Sequence, residues 1–95
     1  MSSTLRLRIP VSIVSFIRNM HPQLKRKIRA GLDDIITNPE CGKALQLELS
    51  GLRSYRVNRF RIIYRIGSEK TVELVAVGPR KTIYEETYRL VRSCP

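Results

Sequence analysis

Arginine and lysine side chains are concentrated in one stretch of the chain. Residues 53–81 hold eight basic residues and two acidic ones, a net charge of +6. The guanidinium fork of arginine matches phosphate geometry bidentately and keeps its charge at physiological pH. The stretch is therefore typical of a surface that binds a phosphate backbone. The candidate backbone-binding residues are Arg53, Asn58, Arg59, Arg65 and Lys81.

The charge of the whole chain points the same way. Its 95 residues include 18 Lys and Arg against 8 Asp and Glu, a net charge of +10. Such a chain attracts polyanions, so nucleic acid or an acidic protein partner is expected. With 42% apolar and 27% charged residues, the composition is that of a folded protein, and residues 1–95 are predicted to form a single domain.

Strand periodicity places several arginines on one face of a predicted sheet, because side chains alternate along a strand. The apolar positions predicted to pack onto a helical hairpin are Val57, Ile62, Tyr64 and Ile66. The positions predicted to face the other way are Arg56, Asn58, Arg61 and Arg65, with Arg80 at the end of the neighbouring strand. Basic residues on such a face often serve only solubility. Four arginines and an asparagine on one face without paired carboxylates favour a phosphate site.

Tyr84 adds an aromatic ring to this surface. Thr82 and Glu85 have capping-box spacing, which places Tyr84 in the first turn of a helix. There it can stack on a base, near backbone N–H groups that favour anions. The alternative is that Tyr84 and Tyr88, at i and i+4, simply form the packing face of the last helix.

Other chemistries find little support. His21 precedes Pro22 at a helix start and is expected to cap that helix, and nothing near Cys41 would activate its thiol. Cys41 and Cys94 have no second ligand at metal-binding spacing, so neither a metal nor a cofactor is predicted. No apolar signal or membrane segment is visible, and the chain is expected to be cytosolic.

The apolar patterns predict an α+β fold with element order β α α β β β α. We expect a small antiparallel sheet of four strands packed on an N-terminal helical hairpin, with a C-terminal helix. In the last strand Val72, Leu74 and Ala76 alternate with Glu73, Val75 and Val77. The predicted elements are a strand at 4–9, helices at 11–19 and 22–37, a leucine-rich connector at 40–53, strands from 55 to 77 with turns at 58–59 and 67–68, and a helix at 83–92.

Two segments resemble the RelE/ParE superfamily of toxins from bacterial type II toxin–antitoxin modules. They are GLRSYRVNRFRIIYRI at 51–66 and VELVAVGPRKTIYEE at 72–86, and TNPE closes the helical hairpin before them. The resemblance in element order extends from about residue 5 to residue 91. It implies a ribosome-dependent endoribonuclease that needs no metal and cuts messenger RNA by attack of a ribose 2′-OH on the adjacent phosphate. It also implies a cognate acidic antitoxin, with the toxin and antitoxin forming a hetero-oligomer.

The resemblance also implies roles for individual residues. Arg61 would hold the scissile phosphate, and Arg80 would assist the leaving group or the phosphate. Arg56 lies where the family often has a basic residue. Tyr84 lies near the position at which the family has a C-terminal tyrosine that stacks on the base or aids proton transfer. RelE-like enzymes carry a pair of basic residues, separated by two positions, on the strand before Arg61. In this chain the pair is Arg56 and Asn58, and because asparagine cannot act as a base, the general base is unassigned. The alternative within the superfamily is a ParE-like toxin that inhibits DNA gyrase without catalysis.

Overall fold

The computed structural model describes residues 6–67 and 70–93. Its regular elements are β1 (Arg6–Arg8), α1 (Val11–Arg18), α2 (Pro22–Thr37), β2 (Lys43–Ala44), β3 (Arg53–Val57), β4 (Phe60–Ile66), β5 (Thr71–Pro79) and α3 (Ile83–Ser93). Short 3-10 turns at Pro39–Cys41 and Leu47–Leu49 lie in the connector. The predicted α+β class and order of the main elements are confirmed. Among these residues no helix is long and apolar enough to cross a membrane.

The sheet has one more strand than the sequence predicts. Its order is β1-β5-β4-β3-β2, and β1 runs parallel to β5 while the other pairs are antiparallel. β2 has only two residues, too few for alternation to be recognised, and periodicity carries no information about strand direction. Residues 4, 5 and 68, which belong to the predicted first strand and second turn, lie outside the described part of the chain.

Both faces of the sheet carry helices. The first core lies between the sheet and the α1–α2 pair and is built around Ile28, Ile35, Ile62 and Tyr64. A second, smaller core of Leu52, Ile63, Ala76 and Ile83 lies between the sheet and α3. The face predicted to be open to solvent is thus partly covered by the C-terminal helix. Ile66, expected in the first core, is 43% exposed at the end of β4.

Local sequence signals account for the helix boundaries. His21 is the N-cap of α2, as predicted, and its Nδ1 accepts a hydrogen bond from the backbone N–H of Gln23 at 3.2 Å. Pro22 takes the first helical position, where its missing N–H costs nothing. α2 ends at Thr37, before Asn38 and Pro39, because a residue preceding proline avoids the α region.

Candidate nucleic-acid interface

A two-residue turn aligns the basic residues of β3 and β4. Val57 pairs with Phe60, so only Asn58 and Arg59 form the turn. Asn58 has φ +55°, a left-handed conformation that asparagine tolerates better than most residues. This register places Arg56 directly opposite Arg61. Directly opposed residues of an antiparallel pair point to the same face, so the two arginines share one surface, as predicted.

The third position in this cross-strand row is a glycine that admits α3. Arg61 pairs with Gly78 of β5. A Cβ atom on Gly78 would lie 2.9 Å from Cδ1 of Ile83, the first residue of α3. The helix therefore begins close against β5, next to the arginine row.

Ser54 joins Arg61 to Tyr84. Nη1 of Arg61 donates to Oγ of Ser54 at 3.3 Å, and the hydroxyl groups of Ser54 and Tyr84 are hydrogen-bonded at 3.0 Å. Ser54 is only 2% exposed, and the Tyr84 side chain packs against the second core. The structure thus brings together Arg61 and Tyr84, two of the residues for which the resemblance implies roles.

Sequence reasoning missed Ser54, although a signal was present. Ser54 precedes Arg56 by two positions on β3, so strand alternation places both on the arginine face. A serine is unremarkable in a strand, and the helix that buries it was not expected there.

The charge of Arg61 lies in a half-buried position without a counter-ion. Its Nε is buried and has no hydrogen-bond partner among the described residues. Within those residues, its guanidinium also lies near no carboxylate at ion-pair distance. Because a low-dielectric surrounding strengthens electrostatic interactions, this charge is well placed to attract an anion.

Three further basic residues lie at the same end of the sheet. The backbone N–H of Arg80 donates to the carbonyl of Arg59 at 2.7 Å, which joins the β3–β4 turn to the end of β5. Lys81 follows, and all three side chains are exposed. No ion pair in residues 6–67 and 70–93 involves any member of this group, which we name the basic end. Its members are Arg56, Arg59, Arg61, Arg80 and Lys81.

Two predicted site residues lie apart from the basic end. Arg53 faces the other side of β3, where its Nη1 donates to the carbonyls of Glu40 at 3.2 Å and Gly42 at 2.8 Å. Arg65 forms an ion pair with Glu73 at 2.7 Å. The expectation that the face lacks paired carboxylates therefore does not hold for Arg65, because its cross-strand neighbour is acidic.

Tyrosines on the opposite face anchor the connector and α2. The Tyr55 hydroxyl donates to Oδ2 of Asp34 at 2.6 Å, and this hydrogen bond, with burial, raises the pKa of Tyr55 to about 12. Burial likewise raises the pKa of Tyr64. Its hydroxyl donates a hydrogen bond to the carbonyl of Pro39 and accepts one from the backbone N–H of Gly42. These groups belong to the packing of the fold. Within the described residues, no three His, Cys, Asp or Glu side chains cluster as metal ligands.

The fold and the basic end together define a small α+β protein suited to polyanion binding. Residues 9–84 match the family model of the ParE toxin of the type II toxin–antitoxin system ParDE. The chain belongs to this toxin family. A search of curated protein sequences gave no significant match.

Solved structures agree with the assignment. A chain of the RelBE2 toxin–antitoxin complex from Mycobacterium tuberculosis is similar with a TM-score of 0.71 at 26% identity, over 82% of this chain and 100% of that one. A doubly substituted E. coli RelE toxin in the free state gives a TM-score of 0.73 at 14% identity, over 95% and 96% of the two chains. The RelE–RelB complex of Pyrococcus horikoshii gives 0.67 at 22% identity, over 82% and 97%. The last two establish a shared fold.

Proposed function

We propose that this toxin is an endoribonuclease that cuts messenger RNA on the ribosome. The observation that carries the proposal is the position of Arg61, which has no ion-pair partner among the described residues, lies opposite Arg56, and is joined through Ser54 to Tyr84. An arginine without a counter-ion beside an aromatic hydroxyl suits a phosphate flanked by a base. Because ribosomes are cytoplasmic, the proposed site of action of the toxin is the cytoplasm.

The proposed reaction is an internal transfer at phosphorus. A ribose 2′-oxygen forms a bond to the adjacent phosphorus as the bond to the 5′-oxygen breaks, leaving a 2′,3′-cyclic phosphate and a 5′-hydroxyl. Arg61 stabilises the charge that develops on the phosphate, and Arg80 assists the leaving oxygen or the phosphate. Because the nucleophile belongs to the substrate, alignment alone supplies on the order of 7–11 kcal/mol. No metal enters this scheme.

Proton transfer is the smaller part of the proposed catalysis. Asn58 cannot act as a base, so the net transfer of the 2′-OH proton to the departing 5′-oxygen is left to Tyr84, water or the ribosome. Such transfers contribute roughly 10²- to 10⁴-fold. We therefore expect the isolated protein to cut free RNA poorly, and efficient cleavage without ribosomes would contradict this arrangement.

A cognate antitoxin is the proposed protein partner. Two of the solved relatives are toxin–antitoxin complexes of RelE and RelB type. A chain of net charge +10 favours a partner with acidic residues on the contacting surface.

Primer extension on cellular messages after toxin induction tests the proposal. Cuts in phase with codons are expected for the wild type and should vanish for Arg61→Ala, while Arg29→Ala on α2 serves as the control. Growth arrest without new message ends would reject endonucleolytic cleavage.

The second candidate is inhibition of DNA gyrase, and it is favoured by the match to the ParE family model. Supercoiling of relaxed plasmid by purified gyrase, with and without toxin, separates the two functions. Inhibition there, with intact messages in induced cells, would establish the second candidate instead.

A further inference from the structure

A depression beside the β3–β4 turn has no role in the reaction described above. It has a volume of about 390 Å³ and is lined by Leu24 of α2 together with Arg56, Asn58, Arg59 and Phe60. We name it the turn pocket. Sites for small ligands typically measure about 300–1,000 Å³, so the turn pocket is of the size that holds one nucleotide.

The floor of the turn pocket is apolar and fixed in place. Leu24 and Phe60 are half-buried, and both pack against the first core. A phenyl ring held in this way presents a rigid flat surface, on which any of the four bases can stack.

The rim is basic and unpaired. Nε of Arg56 donates to the carbonyl of Asn58 at 3.3 Å, which orients the guanidinium along the turn. In the described part of the chain, the terminal nitrogens of Arg56 and the side chain of Arg59 have no hydrogen-bond or ion-pair partner. Aromatic floor, arginine rim and an exposed asparagine amide are the groups that bind single-stranded RNA.

The turn pocket and the site of the proposed reaction meet at Arg56, which lines the pocket and also lies opposite Arg61. The pocket floor lies on the α2 side of the sheet, so the RNA strand would pass around the β3–β4 turn from one site to the other. We propose that the turn pocket binds the nucleotide next to the scissile phosphate, with its base on Phe60 and its phosphate on Arg56 and Arg59. This inference rests on the proposed RNA cleavage. An acidic helix fits less well, since helical anchors recur over several turns and need a longer groove.

A binding cycle between protein and RNA tests the inference. Toxin affinity is measured for a short single-stranded RNA, free and on ribosomes, with a 2′-deoxy nucleotide at the cleavage position to prevent attack. Abasic nucleotides are then placed on either side of that position. Phe60→Leu should weaken binding of intact RNA about tenfold, as loss of one stacking contact does. It should cause no further loss on RNA that is abasic at the bound position.

Matched controls are present in the chain. Phe16→Leu removes the other phenylalanine, which is 44% exposed on α1, and Arg29→Ala is the counterpart of Arg59→Ala. Thermal unfolding checks that each variant is folded. Because Arg59 is exposed, Arg59→Ala tests the rim even if Phe60→Leu is destabilised.

Each outcome has a defined meaning. If the effect of Phe60→Leu disappears when one message nucleotide is abasic, the nucleotide in the turn pocket belongs to the messenger RNA. If Phe60→Leu weakens binding to ribosomes equally for every message, the bound nucleotide belongs to the ribosome. If Phe60→Leu and Arg59→Ala bind RNA like their controls, or weaken only antitoxin binding, the inference is overturned. If messages are still cut in a way that depends on Arg61, the proposed function stands although the turn pocket does not bind RNA. If the wild-type protein does not cut messages at all, the proposed function itself is overturned.

Discussion

Arg61 holds a positive charge in a half-buried position with no counter-ion among the described residues, and we expect a substitution there to affect the proposed catalysis more than folding. Removing one preorganised donor to a developing charge typically lowers kcat by about 10²- to 10³-fold. We expect Arg61→Ala to abolish toxicity and Arg61→Lys to restore little of it, since an ammonium lacks the bidentate fork. Growth after induction measures the effect, and the denaturant midpoint checks the fold. A folded Arg61→Ala protein that still arrests growth would remove Arg61 from the mechanism.

Ser54 is expected to position Arg61 and Tyr84, because its hydroxyl is hydrogen-bonded to both. Ser54→Ala should cost about 0.5–1.5 kcal/mol of stability and also lower the rate of message cutting. If the serine acts through the tyrosine hydroxyl, Ser54→Ala combined with Tyr84→Phe should lower the rate little more than either substitution alone. Fully additive rate losses would show that the serine does not act through the tyrosine hydroxyl.

The raised pKa of Tyr55 predicts that the folded protein loses stability at alkaline pH. Its pKa rises from 10.0 to about 12 on folding because its hydroxyl donates to Asp34. The folded state therefore holds this proton more tightly, so the stabilisation is complete below pH 10 and is lost as pH rises to about 12. The free energy of unfolding should fall less steeply over this range in Tyr55→Phe than in wild type. Tyr64 is present in both proteins and does not affect the difference. Parallel profiles would contradict the prediction.

At the scale of elements, the connector is attached to the sheet through Gly42. Its N–H donates to the hydroxyl of Tyr64 at 3.0 Å, and an added Cβ would lie 2.9 Å from Cε1 of that fully buried ring. Gly42→Ala should therefore destabilise the protein by about 1–3 kcal/mol through overpacking. Gly67→Ala is the control, because its Cβ would meet nothing closer than 3.4 Å. Urea denaturation compares the two, and equal midpoints would show that the connector shifts freely.

Elements with regular periodicity were predictable from sequence, and the site follows from them. Alternation predicted the shared face of Arg56 and Arg61, because β3 and β4 pair without interruption around the Asn58 turn. A register shift between β4 and β5, at Ile63 and Tyr64, interrupts the alternation of side chains along β5. Ala76 therefore packs in the second core, whereas Val72 and Leu74 pack in the first. A bulge of this kind leaves no trace in hydrophobic periodicity.

Contacts between distant elements were not predictable. The packing of α3 on the arginine face depends on Gly78 and Ile83 meeting in space, and the pairing of Arg65 with Glu73 depends on strand register. Neither follows from local spacing. Tyr84 illustrates the result: it packs against the second core, in line with the packing alternative, and its hydroxyl also reaches Ser54. Its role toward RNA stays a prediction.

At the scale of the whole molecule, the net charge of +10 should govern how fast the antitoxin associates. Attraction between oppositely charged surfaces raises the association rate, and the screening length is about 10 Å at 0.1 M salt. We therefore expect association to slow with salt, while apolar contacts that govern the off-rate are less affected.

Charge reversals distinguish a local effect from a global one. Arg56→Glu and Arg59→Glu change the basic end, whereas Lys25→Glu and Arg29→Glu change α2, and each lowers the net charge by the same amount. If the antitoxin covers the basic end, the first pair should reduce the association rate and its salt dependence more than the second. Stopped-flow association at two salt concentrations measures all four. Equal losses would mean that net charge, and not the basic end, determines recognition of the antitoxin.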